Sequence, residues 1–224
     1  MTARSYRQFC PVAKALDVVG ERWTLLLVRE LLLGPRRFTD LLDVLPGLGT
    51  SLLAERLRQL EAAGLVHRER LPPPAGATAY HLTEAGLGLG PVVGALAAFG
   101  ARLLGTPAPD ELVRPELGAM YAAASAEPGA LAGPRQAYQL HVDDQVLHIR
   151  AGDGAARAHT GPAPEGADVV IRTDQAGFID LALARRTLAE LTAEGRATSS
   201  GDPEAAERAA RLFASVRDPA SPGA

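Results

Sequence analysis

The sequence predicts an α+β protein of two modules: an N-terminal helix-turn-helix carrying a wing, then a smaller sandwich of sheet and helices. Three observations predict it. Residues Gly49 to Gly64, reading GTSLLAERLRQLEAAG, set Leu53, Leu57 and Leu60 at helical spacing directly after the turn Pro46-Gly47-Leu48-Gly49. Two strand-like runs, Leu65 to Leu71 and Tyr80 to Leu82, flank Pro72-Pro73-Pro74-Ala75-Gly76, which cannot continue a strand and must turn. Charge is uneven: residues 1–104 hold 12 Lys+Arg against 9 Asp+Glu, net +3, while residues 105–224 hold 11 against 17, net −6. A basic half and an acidic half suggest modules with different partners.

The elements follow in order. Residues 1–9 read as a mobile arm with Arg4, Tyr6 and Arg7. Cys10-Pro11 leads into a helix with Val12, Ala15, Leu16 and Val19 on one face, ending near Gly20. Glu21 to Leu33 is apolar on nearly all sides and reads as a central buried helix, with Trp23 in the core. Gly34-Pro35 stops it, and Phe38 to Leu45 forms a short helix. Short helix, Gly-containing turn and longer helix make the helix-turn-helix. A hydroxyl of Thr50 or Ser51 is expected to cap the longer helix, and Gly64 to end it. After the wing, Thr83 caps a long segment to Leu104, weakened by Gly86, Gly88, Gly90 and Pro91. Leu89, Val92, Val93, Leu96, Phe99 and Leu103 line one face of it, more than a small domain covers, so a second subunit is expected there. The domain limits read as 1–104, a Pro-stiffened linker 105–110, 111–218, and a disordered tail 219–224. One cysteine excludes an internal disulfide and fits a reducing cytoplasm; no spanning apolar run and no signal peptide are read, so a cytoplasmic protein away from membranes is expected.

The outer face of the Gly49–Gly64 helix carries small and polar groups at its start and a cation further along. A helix that reads the DNA major groove needs this: compact groups near base edges, cations for phosphates. An ordinary amphipathic surface helix is the plain alternative, and its neighbours tip the balance. The candidate DNA-contacting residues are Arg36, Arg37, Thr39, Thr50, Ser51, Ala54, Glu55, Arg58, Arg68 and Arg70. Solvation alone is the usual fate of a surface arginine. Arg56, at the edge of the apolar stripe, either packs its stem or bridges an acid. Glu55 either accepts from cytosine N4 or pairs with Arg58 one turn on.

The motif order resembles the HxlR-type winged helix-turn-helix regulators. The matching residues are Cys10-Pro11, GERWTLLLVRELLLGPRRFTDL (Gly20 to Leu41), SLLAERLRQLEAAGLV (Ser51 to Val66) and YHLTEAG (Tyr80 to Gly86). The resemblance implies a homodimeric transcription factor on double-stranded DNA, most often a repressor. It departs at the wing, where Ala77-Thr78-Ala79 replace a basic residue beside the returning strand; Arg68 and Arg70 remain for phosphates. Some members of that family sense oxidants through an N-terminal cysteine next to proline. Cys10 has that context, and a helix start lowers a thiol pKa; the alternative is a buried, inert thiol.

In the second module, Glu111 to Ala124 reads as a helix, Tyr138 to Val142 and Val146 to Arg150 as a hairpin around Asp143-Asp144, and Arg157 to Thr160 as a further strand. Asp168 to Thr173 reads as a strand, Asp174 as the cap of a helix through Leu183, then Thr187 to Glu194 a helix, Arg196 to Ser200 a strand, and Pro203 to Val216 a helix. The stretch Ala167 to Phe213 resembles the sterol carrier protein type-two-like fold, through Asp168, Asp174, Phe178, Gly195 and Gly201-Asp202. That resemblance implies an apolar cavity near Phe178, Leu181, Leu188, Leu191, Leu212 and Phe213, for a small apolar effector; a filled core is the equal alternative. No catalytic constellation, cofactor motif or metal-ligand spacing is read: His67, His81, His141, His148 and His159 are scattered along the chain. The protein is expected to be a non-enzymatic homodimeric regulator on a pseudo-palindromic operator. The rival is a lipid or small-molecule carrier whose N-terminal module mainly dimerises.

Overall fold

A computed structural model describes residues 5–70, 77–105, 107–108 and 110–214. Residues 1–4, which include Arg4 of the arm, residues 71–76, where the turn was expected, and the residues beyond 214 lie outside the described residues. The chain divides into two compact units, Met1–Val93 and Gly94–Ala224. That boundary falls inside a helix, ahead of the linker read from the sequence.

The first unit runs α1 (Pro11–Val19), α2 (Thr24–Leu32), β1 (Arg36–Arg37), α3 (Phe38–Val44), α4 (Thr50–Ala62), β2 (Val66–Arg70), β3 (Thr78–Leu82), α5 (Glu84–Leu87) and the start of α6 (Gly90–Ala101). Leu27, Val28 and Leu31 of α2, Leu41 of α3 and the stripe Leu53, Leu57 and Leu60 of α4 are all buried. The wing is a three-stranded antiparallel sheet in the order β1-β3-β2, because Arg36 pairs with Tyr80 and Arg37 with Ala79. The two-residue β1 has no period to read.

Several boundaries differ from the sequence reading, each for a local reason. Trp23 takes a left-handed conformation, φ 78°, so α2 starts at Thr24 rather than Glu21. Gly49, in extended conformation, is the N-cap of α4; Thr50 is already helical, and no side chain caps this end. The hydroxyls of Thr50 and Ser51 are therefore exposed rather than spent on the helix start. The segment from Thr83 to Leu104 is two helices, broken at Gly88-Leu89. By length and composition the stretch Glu84–Ala101 reaches a membrane span after all, with 6% of it buried. On α1 the buried residues are Ala13 and Val19, while Val12 and Leu16 are exposed.

The second unit runs α7 (Pro115–Ser125), a 3-10 turn, β4 (Gln136–Val142), β5 (Gln145–Gly152), β6 (Ala155–Thr160), β7 (Val169–Thr173), α8 (Gln175–Ala182), α9 (Leu188–Ala193), β8 (Ala197–Gly201) and α10 (Pro203–Ala214). Pro115 at the first helical position sets the start of α7 four residues later than expected. The sheet order is β6-β5-β4-β7-β8, antiparallel except for the parallel β4–β7 pair. Register stacks Tyr138 between Ile149 and Val169, and Leu140 between Leu147 and Ile171. These six side chains are nearly or fully buried beneath the helices, as period-two alternation requires. Asp174 caps α8 by accepting from Gly177 N at 2.6 Å. Thr187 and Glu190 form a capping box on α9. Within α6, Ala97, Ala98 and Ala101 pack against this unit's core.

Candidate nucleic-acid interface

Burial of Leu53, Leu57 and Leu60 leaves one orientation for α4. Thr50, Ser51, Ala54 and Arg58 are exposed on its other side, with Glu55 half-buried at the margin. Arg58 pairs with Glu55, and Gln59 Nε2 donates to Glu55 Oε1 at 2.6 Å. The reading of Glu55 as an intrahelical partner is thus the geometry found. Arg56 is tied inward: it meets Glu21 at 2.9 Å, donates to the Arg22 carbonyl at 3.3 Å and to Gln59 Oε1 at 2.7 Å. It bridges an acid 35 residues away in sequence and anchors α4 to the turn before α2.

The flanking candidates separate into two kinds. Arg37 and Thr39 are exposed at the start of α3, where Asp40 accepts from Arg37 N at 2.9 Å. Arg36 is half-buried, with its Nε closed off from solvent and without a hydrogen-bond partner, so its stem packs. Arg68 and Arg70 are exposed on one face of β2, Arg68 lying 3.4 Å from Glu61. Exposed cations therefore stand on α4, at the start of α3 and along β2, on three elements of the unit.

Cys10 occupies the N-cap of α1 with an extended backbone and is partly exposed. The segment before it is held by Asp17, which accepts from Tyr6 N at 2.8 Å and Ser5 Oγ at 2.9 Å. These bonds, the Tyr6 N–H foremost and Lys14 least, hold the Asp17 carboxyl below its ordinary value, against burial acting the other way.

In the second unit Phe178, Leu181, Leu188, Leu191, Leu212 and Phe213 are all at most 6% exposed and belong to one core. Packing there is tight: a Cβ on Gly118 would stand 2.8 Å from Phe178 Cε1. A groove of about 500 Å³ lies elsewhere, lined by His141, Asp143, Arg172, Asp174 and Arg196 among others, and none of the six borders it. Arg196 in that groove is ringed by Asp174, Asp180 and Glu194 at 3.3 to 3.9 Å.

One constellation brings together histidines that lie scattered along the sequence. His67 and His81 are directly opposed across β2 and β3, with ring centroids 5.1 Å apart, and Glu69 follows two residues along the same face. Its only advance signal was the spacing His67-x-Glu69, meaningful once the register is known.

Residues 18–107 match the family model described as HxlR-like helix-turn-helix. An uncharacterised HTH-type transcriptional regulator of Synechocystis is 39% identical over 92 residues, 41% of this chain and 68% of the relative. The uncharacterised HTH-type transcriptional regulator YvaP of Bacillus subtilis is 37% identical over 93 residues, 41% of this chain and 86% of the relative. The solved reduced form of the transcriptional regulator YodB from B. subtilis is 31% identical, covering 45% of this chain and all of that one, with a TM-score of 0.39. The matched stretch holds the helix-turn-helix, the wing and the exposed cations described above: the chain belongs to the HxlR-like helix-turn-helix family of transcriptional regulators.

Proposed function

We propose that the protein acts as a homodimeric repressor that binds a pseudo-palindromic operator through α4. The observation that carries this reading is the outer face of α4: exposed hydroxyls at an uncapped N-terminus, a small Ala54, then Arg58, opposite a fully buried leucine stripe. The first-turn N–H groups and dipole of α4 favour phosphate or a base acceptor, and the helix diameter suits the major groove. Arg37, Arg68 and Arg70 supply phosphate contacts on either side. The second subunit is supported by Leu87, Val92, Leu96, Phe99 and Leu103, which are 43% to 75% exposed along α5, α6 and the turn that follows. An apolar run of that size calls for a partner surface. A two-fold dimer then offers two α4 helices to half-sites about 34–36 Å apart.

The C-terminal unit is read as a sterol-carrier-like regulatory module. The burial of its six apolar candidates favours a filled core, so an apolar effector would have to displace packed side chains to enter. Regulation would require that such a ligand bind the DNA-competent and incompetent dimers unequally. Cys10, partly exposed and alone, is the candidate for oxidant control of the same dimer. Selection of genomic fragments by the purified full-length protein tests the central reading. Recovery of a two-fold symmetric sequence supports it; recovery of no sequence above background, with a folded protein, overturns it.

A further inference from the structure

The wing carries three metal-ligand side chains on one face. Strand alternation puts residues 67 and 69 of β2 on the same side, and the cross-strand pair His67–His81 adds β3 to it. One donor atom from each of His67, Glu69 and His81 falls within 4.8 Å of the other two. His81 Nε2 is buried without a hydrogen-bond partner and stands 3.6 Å from Glu69 Oε2. That gap is too long for a good hydrogen bond. It is close to the separation of roughly 3.3 Å that two donors take when each sits about 2.0–2.1 Å from one tetrahedral ion. His67 and Glu69 are exposed, so their side chains can close on an ion without moving backbone.

We propose that His67, Glu69 and His81 form a site for a divalent transition cation of the zinc class, which joins β2 to β3. Two imidazoles and one carboxylate suit zinc among the common cations: calcium and magnesium take oxygen sets, and thiolate-preferring ions lack a sulfur here. The fourth position is left to water. Bound there, the ion adds two positive charges beside the carboxylate of Glu69 and fixes the register of the wing strands. The site needs neither the helix-turn-helix reading nor any effector in the second unit.

The test uses the full-length, tag-free protein, stripped of metal and titrated with zinc chloride against a chromogenic chelator. One zinc per chain is expected, with the histidine ring resonances of two residues shifting together in NMR spectra. His67→Gln and Glu69→Gln alter exposed side chains and should keep the fold by circular dichroism; each should weaken zinc at least about tenfold. Cys10→Ser should bind as the parent does. The proposal is overturned by a parent protein that takes up no stoichiometric zinc, by His67→Gln and Glu69→Gln variants that bind it unchanged, or by loss of binding in Cys10→Ser alone, which would place the ion on the thiol.

Discussion

Replacing Arg58 with alanine should cost DNA affinity and almost no stability, and both magnitudes follow from its setting. Its side chain is 67% exposed and its partner Glu55 39% exposed, so the lost ion pair is worth at most about 1 kcal/mol. Alanine is a slightly better helix former than arginine, which offsets part of that. On DNA, a lost bidentate base contact costs about 1–3 kcal/mol, roughly 5- to 150-fold in Kd. A lost phosphate contact instead flattens the plot of log K against log salt by about 0.9. Fluorescence anisotropy with a selected operator and a scrambled duplex, each at two salt concentrations, separates the two. Glu55→Gln should act in the opposite sense, because it frees Arg58 and removes a carboxylate from the DNA-facing side. Arg58→Ala with parental affinity and slope on both duplexes would mean that the outer face of α4 does not face DNA.

Gly86→Ala should lower the melting temperature of the first unit by roughly 10 °C, from about 2 kcal/mol of overlap, since a Cβ there would run into the Leu65 carbonyl oxygen; a midpoint unchanged or raised, as helix propensity alone suggests, refutes the packing. Leu96→Glu, at a position 48% exposed, should leave far-UV circular dichroism intact and yield monomers in sedimentation; a persistent dimer moves the interface elsewhere. Asp17 has a depressed pKa, so its hold on the Tyr6 amide is complete above the ordinary value of 3.8 and is lost as pH falls through the lower folded value. The protection of the Tyr6 amide, measured against its intrinsic exchange rate at the same pH, should therefore fall at acid pH, and at neutral pH in Asp17→Asn; protection indifferent to both rejects the anchor. Diamide should produce a chain dimer on non-reducing gels that Cys10→Ser lacks, and no change in the parent would leave the thiol structural.

What could be read from the sequence was whatever repeats locally. The Leu53–Leu57–Leu60 stripe, the alternation through Tyr138, Leu140 and Val142, and the cap at Asp174 each declare themselves within a few residues. What could not be read depends on partners distant in sequence or on single dihedrals. β1 exists only because Tyr80 and Ala79 lie beside it. The left-handed Trp23 shortens α2 without any glycine to announce it. Arg56 and Arg36 look like neighbours of Arg58 in a list of cations, yet one is bound to Glu21 and the other half-buried. The histidine pair of the wing required a register set by pairing across the turn.

The end of α4 is fastened to the start of α5. Thr83 donates its hydroxyl to the Gly64 carbonyl at 2.6 Å and its N–H to the Leu65 carbonyl at 3.0 Å, while Leu65 N bonds back to Leu60 of α4. Gly86 closes against the same Leu65 oxygen with no room for a side chain. Such a joint does not absorb rotation; it passes rotation on. The 13 residues of α4 span about 20 Å at ~1.5 Å per residue, so a 10° tilt of α5 carried through the joint swings the Ser51 end by roughly 3.5 Å. That is about one base-pair rise. On the proposed orientation of α4, a change of about 10° at Thr83 would move the far end of the helix by about one base step.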